Sequence, residues 1–196
     1  MTTFGLIRHG MTDWNKTGRL QGQHDVALNE EGRWQAKALA LRLAREKKWD
    51  AIVSSDLSRA VETAQIIAEY TGLGPVRLES RLRERTHGRL EGTTLEERIA
   101  RWGPNWNELD HGVESDEQMF ARGYACLREL SEQYPGQNVL VVTHGAFIVV
   151  MLKNLLKQMP EGWLQNASLS IIRQQGDGWE CDLYNCTEHL STDRPE

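Results

Sequence analysis

Two rhythms of apolar residues alternate along this chain. Short continuous runs read as strands buried on both faces: "TFGLIR" (Thr3–Arg8), "DAIVSS" (Asp50–Ser55), "VRLES" (Val76–Ser80) and "QNVLVVTHG" (Gln137–Gly145). Between them the apolar positions take helical spacing. Asn29 caps a predicted helix that runs to about Lys47, with Trp34, Ala38 and Leu41 on one face. Asp56 or Ser55 is placed to cap the next helix, whose apolar face is Ala60, Ala64, Ile67 and Ala68 and which Gly72 stops. Further helices are expected at Leu95–Trp102, at Asp116–Tyr134 and directly after Gly145. Two late strands, "SLSIIRQ" and "GWECDLYN", meet across Gly176, Asp177 and Gly178, a hairpin turn. The polar tail "STDRPE" is expected to fray.

Strands alternating with helices predict an α/β fold. The expectation is a three-layer sandwich with a mostly parallel sheet. The final hairpin supplies one antiparallel edge strand. The irregular helical stretch from about residue 81 to 138 forms an insertion covering the site. No repeat or linker divides the chain, so its 196 residues read as one domain, 1–196. In such folds ligands bind beyond the carboxyl ends of the strands.

Composition narrows the function. With 39% hydrophobic and 26% charged residues the chain is globular rather than disordered or membrane-embedded. A net charge of −5 argues against nucleic acid as the partner. The most apolar run, "VLVVTHGAFIVVMLKNLL", is broken by Thr143, His144 and Lys153, short of the ~20 residues of a membrane helix. Arg8 and His9 interrupt the first apolar run too early for a signal peptide. Cys126, Cys181 and Cys186 form no zinc or redox pattern, and a cytoplasmic location is expected. Oligomeric state is not readable.

The strand ends carry the chemistry. The first predicted strand ends in Arg8-His9-Gly10. The second leads into a helix whose first turn carries Arg59. The fourth ends in Thr143-His144-Gly145 and opens a helix. Two histidines and two arginines therefore converge on one crevice, where helix N-termini add unpaired N–H groups. Glycine after each histidine allows close backbone approach. Arginine forks suit phosphate oxygens. Two arginines beside the histidines repel a cation, so no metal and no cofactor are expected.

Together "RHGMTDWN", "GRLQGQHDVALNEEG", "SSDLSRAVETA", "LRERTHGRLEG" and "VVTHG" resemble the histidine phosphatase superfamily, which includes the cofactor-dependent phosphoglycerate mutases. The resemblance spans nearly the whole chain in family order. It implies that His9 attacks phosphorus and becomes phosphohistidine. It implies that Arg8, Arg59 and His144 clamp the phosphate and that Glu84 is the proton donor. Asn15 matches the Asn of the "WN" pair, which contacts the phosphoryl group. Gln21 and Gly22 match the substrate loop, and Gly145 follows the second histidine. Met11 departs from a common pattern with Glu at that position. His24, His87, His111 and His189 read as polar surface or loop residues, with His87 the nearest to Glu84. Trp102 and Trp106 pack in the cover or line an apolar substrate wall.

The reading is a metal-independent phosphatase acting on a small-molecule phosphomonoester. One alternative is a phosphoglycerate mutase, disfavoured because the chain lacks the paired arginines that grip a substrate carboxylate. Arg98 and Arg101 are partial substitutes. The other is a phosphopeptide- or phosphoprotein-binding module with weak turnover. The substrate itself is not written in the motifs.

Overall fold

The computed structural model describes residues 1–46, 48–159, 161–176 and 178–191. The expected helix end at Lys47, turn residue Asp177 and all of the "STDRPE" tail after Ser191 lie outside them. The chain opens with strand β1 (Thr3–Arg8), a single helical turn α1 (Asp13–Lys16) and helix α2 (Glu30–Glu46). Strand β2 (Ala51–Ser54), helix α3 (Ser58–Thr71) and a two-residue strand β3 (Arg77–Leu78) follow. After helices α4 (Leu95–Trp102) and α5 (Asp116–Gln133) come strand β4 (Asn138–Thr143) and helix α6 (Gly145–Leu155). Strands β5 (Leu169–Gln175) and β6 (Gly178–Cys186) follow, and a 3₁₀ turn at Glu188–Leu190 ends the described chain.

The strands form one sheet in the order β3-β2-β4-β1-β5-β6. The first four are mutually parallel, β5 runs antiparallel to β1, and β6 runs antiparallel to β5. The hairpin expected from the sequence thus supplies the antiparallel edge pair. Alternation along each strand sends side chains to two cores. Phe4, Leu6, Val139 and Val141 pack with Met119, Leu127, Phe147 and Met151 of α5 and α6. Ile7, Leu140 and Val142 pack with Leu39, Leu43, Ala60 and Ile67 of α2 and α3. The result is the expected sandwich of three layers.

Several local expectations shift. The buried stripe of α2 is Gln35, Ala36, Leu39, Ala40 and Leu43, whereas Leu41 is 41% exposed and Trp34 and Ala38 are half-buried. The inner face combines the small Ala36 and Ala40 with Leu39 and Leu43, and Leu41 is turned outward. Helix α3 begins at Leu57 without a side-chain cap. Asp56 is instead held by the Arg83 guanidinium through bonds of 2.7 and 2.6 Å, so neither expected residue closes the helix end. The strand "VRLES" shortens to Arg77–Leu78 at the sheet edge, where Leu78 is half exposed. Within the 81–138 stretch read as cover, α5 is a layer helix, with Met119, Cys126, Leu127 and Leu130 in the sheet core. The segment before it, with α4 and the 3₁₀ turns at Gly88–Leu90 and Trp106–Glu108, stands outside the layers, whereas Leu82 of the turn at Ser80–Leu82 lies in the sheet core.

The loop leaving β1 lies directly on the first turn of α2. The Met11 amide donates to Gln35 Oε1 at 2.9 Å, and the Asn29 amide donates to the Met11 carbonyl at 3.1 Å. Asn29 Oδ1 also accepts from the Gly32 amide at 2.9 Å, the expected helix cap. A Cβ on Gly10 would sit 2.5 Å from the Gly32 carbonyl oxygen, so the approach demands glycine. Gly10→Ala is therefore expected to destabilise the fold by about 1–3 kcal/mol, the usual cost of overpacking. Urea unfolding of the variant against the wild type checks it. Equal midpoints would mean that the loop does not bear on α2 in solution.

Candidate active site

Strands β1 and β4 are central neighbours, with Arg8 paired in register to Thr143. The residues that follow them, His9 and His144, therefore emerge at the same sheet edge. Their ring centroids are 5.2 Å apart. The His9 amide donates to the Thr143 carbonyl at 3.0 Å, extending the ladder by one step. His9 Nδ1 lies 2.7 Å from the Gly10 carbonyl oxygen. A carbonyl only accepts, so Nδ1 carries the proton and Nε2 keeps its lone pair. No described residue hydrogen-bonds Nε2.

His144 sits at the N-cap of α6 with extended backbone, and its side chain takes no capping role. Its Nε2 lies 2.8 Å from Ser55 Oγ. Ser55 Oγ also accepts from the Leu57 amide at 3.4 Å, which favours Ser55 as the donor to His144 and places the imidazole proton on Nδ1. Arg8 donates to the Leu164 carbonyl at 2.5 Å. Arg59 donates to the carbonyls of Gly22 and His24, each at 2.8 Å. Gly145 faces Arg8, where an added Cβ would lie 3.3 Å from Arg8 Nε. Arg8 Nε, Arg59 Nε and His144 Nδ1 are buried and have no protein partner among the described residues.

Electrostatics follow from this packing. Burial, then the charges of Arg59 and Arg8, hold the His9 imidazole well below its usual 6.5. His144 is lowered in the same direction by burial, then by Arg59, His9 and Arg8. Burial lowers Arg59 to about 10 against the opposing pull of Glu84. Arg8 is lowered by burial and raised by the same carboxylate. Both imidazoles are therefore neutral beside two guanidinium groups, and the crevice as a whole is built for an anion.

The remaining expected residues gather around this group. Glu84 Oε1 accepts from its neighbour Arg85 amide at 2.9 Å, and Oε2 accepts from the Ala146 amide in the first turn of α6 at 3.3 Å. Gln23 and Arg122 donate to the Glu84 carbonyl at 3.2 and 3.3 Å. Thr12 Oγ lies 2.9 Å from Gln21 Oε1, and the Thr12 amide donates to Asn15 Oδ1 at 3.1 Å, which ties Gln21 and Asn15 to one turn. Gly22 has φ +53°, a conformation that suits glycine, and presents its carbonyl to Arg59.

Three supporting residues escaped the sequence reading. Ser55 was read only as a helix cap, although its place at the end of β2 was a signal. Thr63 lies one turn after Arg59, and its Oγ accepts from the Gly10 amide at 3.1 Å. Asn166 lies in irregular chain before β5 and reaches the His9 backbone. Two of the histidines set aside are buried rather than on the surface. His111 packs 4.8 Å from the Trp102 ring, and its Nε2 donates to the Trp106 carbonyl at 2.6 Å. His189 donates to the Ala167 carbonyl at 2.9 Å. Arg98 stacks 4.8 Å over the Trp106 ring and donates to the Thr93 carbonyl at 3.2 Å, so its work is to hold the cover. Below Trp106 is a hollow of about 370 Å³ lined by Leu20, His87, Leu90, Leu109 and Val113, with Asp110 its one carboxylate and no arginine or lysine. Among the described residues, no group of three or more His, Cys, Asp or Glu side chains is placed to hold a metal ion. No described helix is long and apolar enough to cross a membrane.

Comparison with known proteins gives concordant results. The model of the histidine phosphatase superfamily, branch 1, matches residues 4–187. The uncharacterized phosphatase PhoE of Bacillus subtilis is 38% identical over 97% of this chain and 98% of its own length. The metal-independent phosphoserine phosphatase of Arabidopsis thaliana is 33% identical over 98% of this chain and 84% of its own. Among solved structures, the mycobacterial glucosyl-3-phosphoglycerate phosphatase complexed with VO3 superposes with a TM-score of 0.82 at 34% identity. That match covers 93% of this chain and 98% of the other.

The neutral imidazoles have a consequence for stability. His9 and His144 are held well below 6.5, and burial lowers His189 to about 4. Below 6.5 the unfolded chain binds more protons than the folded one, so stability rises with pH there. The contribution is complete above 6.5 and is lost as the pH falls from 6.5 towards the folded values. Urea unfolding between about pH 7.5 and pH 5 is expected to show this decline, and His189→Gln to make it shallower. A flat profile in the wild type would contradict the burial of neutral imidazoles.

Proposed function

The chain belongs to the histidine phosphatase superfamily, and from that premise we propose that it hydrolyses small phosphomonoesters through a phosphohistidine formed on His9. One observation carries the reading. His9 Nε2 holds a free lone pair beside three buried, unpartnered nitrogens on Arg8, Arg59 and His144. Buried donors without partners cost about 1–3 kcal/mol each, and the oxygens of a phosphoryl group satisfy them.

In this reading His9 Nε2 attacks phosphorus, and the bond from phosphorus to the ester oxygen breaks. Arg8, Arg59 and His144 hold the three other oxygens, with Asn15 adding an amide donor. Charge stabilisation by such preorganised donors is the main source of rate in phosphoryl transfer. Glu84 gives its proton to the leaving oxygen. Water then attacks the phosphohistidine, Glu84 takes the water proton, the nitrogen–phosphorus bond breaks and phosphate leaves. Gln21 and Gly22 border the entering substrate, and Gly145 leaves room for Arg8.

In this reading the leaving group enters the hollow lined by Trp106, which is bordered by His87, three residues after Glu84. That wall has no guanidinium to grip a carboxylate, and Arg98 is committed to the cover. This favours a phosphatase over a mutase and favours leaving groups with apolar surface. The segment before α5 acts as the cover of one domain. The site needs no metal or cofactor and offers no surface for nucleic acid. Three unpaired cysteines support a reducing, cytoplasmic setting.

The direct test is chemical. Rapid quenching with labelled substrate is expected to leave acid-labile, base-stable label on the protein, and His9→Ala to remove both label and turnover. Activity is expected to survive exhaustive chelation. Acid-stable label, or activity restored only by added zinc, magnesium or manganese, would overturn the mechanism.

Glu84 is tested by leaving-group dependence. An alkoxide is a poor leaving group and needs a proton as the bond breaks, whereas a nitrophenolate needs it less. Glu84→Gln is expected to slow single-turnover phosphorylation by an alkyl phosphate about 10²–10⁴-fold, the range of general acid catalysis, and by nitrophenyl phosphate clearly less. Equal losses would remove Glu84 as the acid and leave His87 as the next group to test.

A further inference from the structure

The stretch Leu164–Ser168 has no regular secondary structure, yet it wraps the turn that carries His9. The Leu164 carbonyl accepts from Arg8, and the Ser168 carbonyl accepts from the Arg8 amide at 3.2 Å. The Ala167 amide donates to the His9 carbonyl at 3.1 Å. Ala167 has φ +54°, a left-handed conformation that a residue with a Cβ adopts only where its surroundings enforce it. His189 supplies part of that enforcement through its bond to the Ala167 carbonyl.

At the centre of this strap the Asn166 side chain is buried, 7% exposed. Its Nδ2 lies 3.1 Å from the His9 carbonyl, 3.3 Å from the Gly10 carbonyl and 3.3 Å from Asn15 Oδ1. Two N–H groups thus serve three acceptors, each with a separate consequence. The Gly10 carbonyl is the acceptor that keeps the proton on His9 Nδ1 and the lone pair on Nε2. The Asn15 carboxamide oxygen accepts from Asn166 as well as from the Thr12 amide and Oγ, so the Asn15 amino group is turned away from Asn166.

We propose that Asn166 is the positioning residue of this site, setting through one amide both the tautomer of the His9 nucleophile and the orientation of the Asn15 donor. The proposal rests on the reading of His9 as nucleophile. Asn166 touches no substrate atom. It acts on a group that does, as the outer hydrogen-bond partner of a site imidazole acts. An aspartate of the same shape reverses the effect. Its carboxylate has only acceptors, faces three oxygen acceptors, and attracts the Asn15 amino group, so that the Asn15 oxygen is turned to where the donor stood.

The experiment uses the full chain with Asn166→Ala and Asn166→Asp, each checked for folding by its urea midpoint. Three quantities are read. They are the single-turnover rate of His9 phosphorylation by nitrophenyl phosphate, kcat against KM, and the ring ¹⁵N spectrum of His9. In the wild type the spectrum is expected to show the neutral ring protonated at Nδ1. Asn166→Ala is expected to slow phosphorylation about 10–100-fold, the range for outer partners of metal-site imidazoles, with KM changed much less. Asn166→Asp is expected to be slower still and to shift the His9 ring signals although it keeps the side-chain volume. Phosphorylation within twofold of wild type in either folded variant, with an unchanged His9 spectrum, would overturn the proposal. So would a wild-type ring protonated at Nε2, a result that needs no variant to fold. Absence of His9 label in the wild type would instead overturn the phosphohistidine reading, so the two failures are distinct.

Discussion

Two guanidinium groups are buried against two imidazoles, and most of this molecule is arranged around that fact. Removing an ion from water costs several kcal/mol even after relaxation. The fold meets part of that cost with backbone carbonyls, from Leu164 on Arg8 and from Gly22 and His24 on Arg59. It meets another part with the Glu84 carboxylate, which favours both charged arginines. The imidazoles cannot share in the charge, so they stay neutral. Neutrality leaves a lone pair on His9 Nε2, which the proposed nucleophilic role requires, and lets the ring proton be assigned to one nitrogen. Nitrogens on Arg8, Arg59 and His144 are left without partners among the described residues, and the proposed phosphoryl group would supply them.

The sheet makes this juxtaposition possible. Parallel pairing of β1 with β4 brings two chain segments 135 positions apart in register, Arg8 with Thr143, to the same edge at the middle of the sheet. Crossover helices on both faces then bury the strands, and β2 brings Ser55 beside His144. The loop from Gln21 to His24 has no ladder of its own. Its carbonyls find their donors on Arg59, so loop and guanidinium hold each other in place. Loss of Arg59 would therefore disturb the substrate side of the site as well as its charge.

The cover is built differently. Arg98, Trp102, Trp106 and His111 hold one another by stacking and by hydrogen bonds to main-chain carbonyls. Residues that could have read a substrate's charge are used as structure, and the wall they leave is mostly apolar. The mycobacterial glucosyl-3-phosphoglycerate phosphatase shares the sandwich. In the proposed reading, selectivity falls to this cover, where side-chain packing decides what faces the hollow.

Much of this was legible in the sequence because it is local. A buried strand is a run of apolar residues, and β1, α4 and β4 fall where periodicity puts them, because a few neighbouring side chains suffice to decide each. The Arg-His-Gly and Thr-His-Gly turns mark strand ends by composition alone, the start of the second predicted helix added Arg59, and the family pattern extended the site to Glu84. What the sequence left open depends on distant partners. Which face of α2 is buried was decided by the sheet and α3 side chains that Leu39, Ala40 and Leu43 meet, partners far away in the chain. Whether α5 covers the site or builds the core was decided by its packing against Phe147 and Met151. Asn166 carries no sequence signal, because the carbonyls it holds lie more than 150 residues away in the chain. Hydrogen-bond partners at such separations exist only once the sheet has paired. The sequence by itself marked the candidate groups at the strand ends, because they are local. Tertiary structure alone decided which proton sits on which nitrogen, because each proton answers to a distant or folded-back carbonyl or hydroxyl.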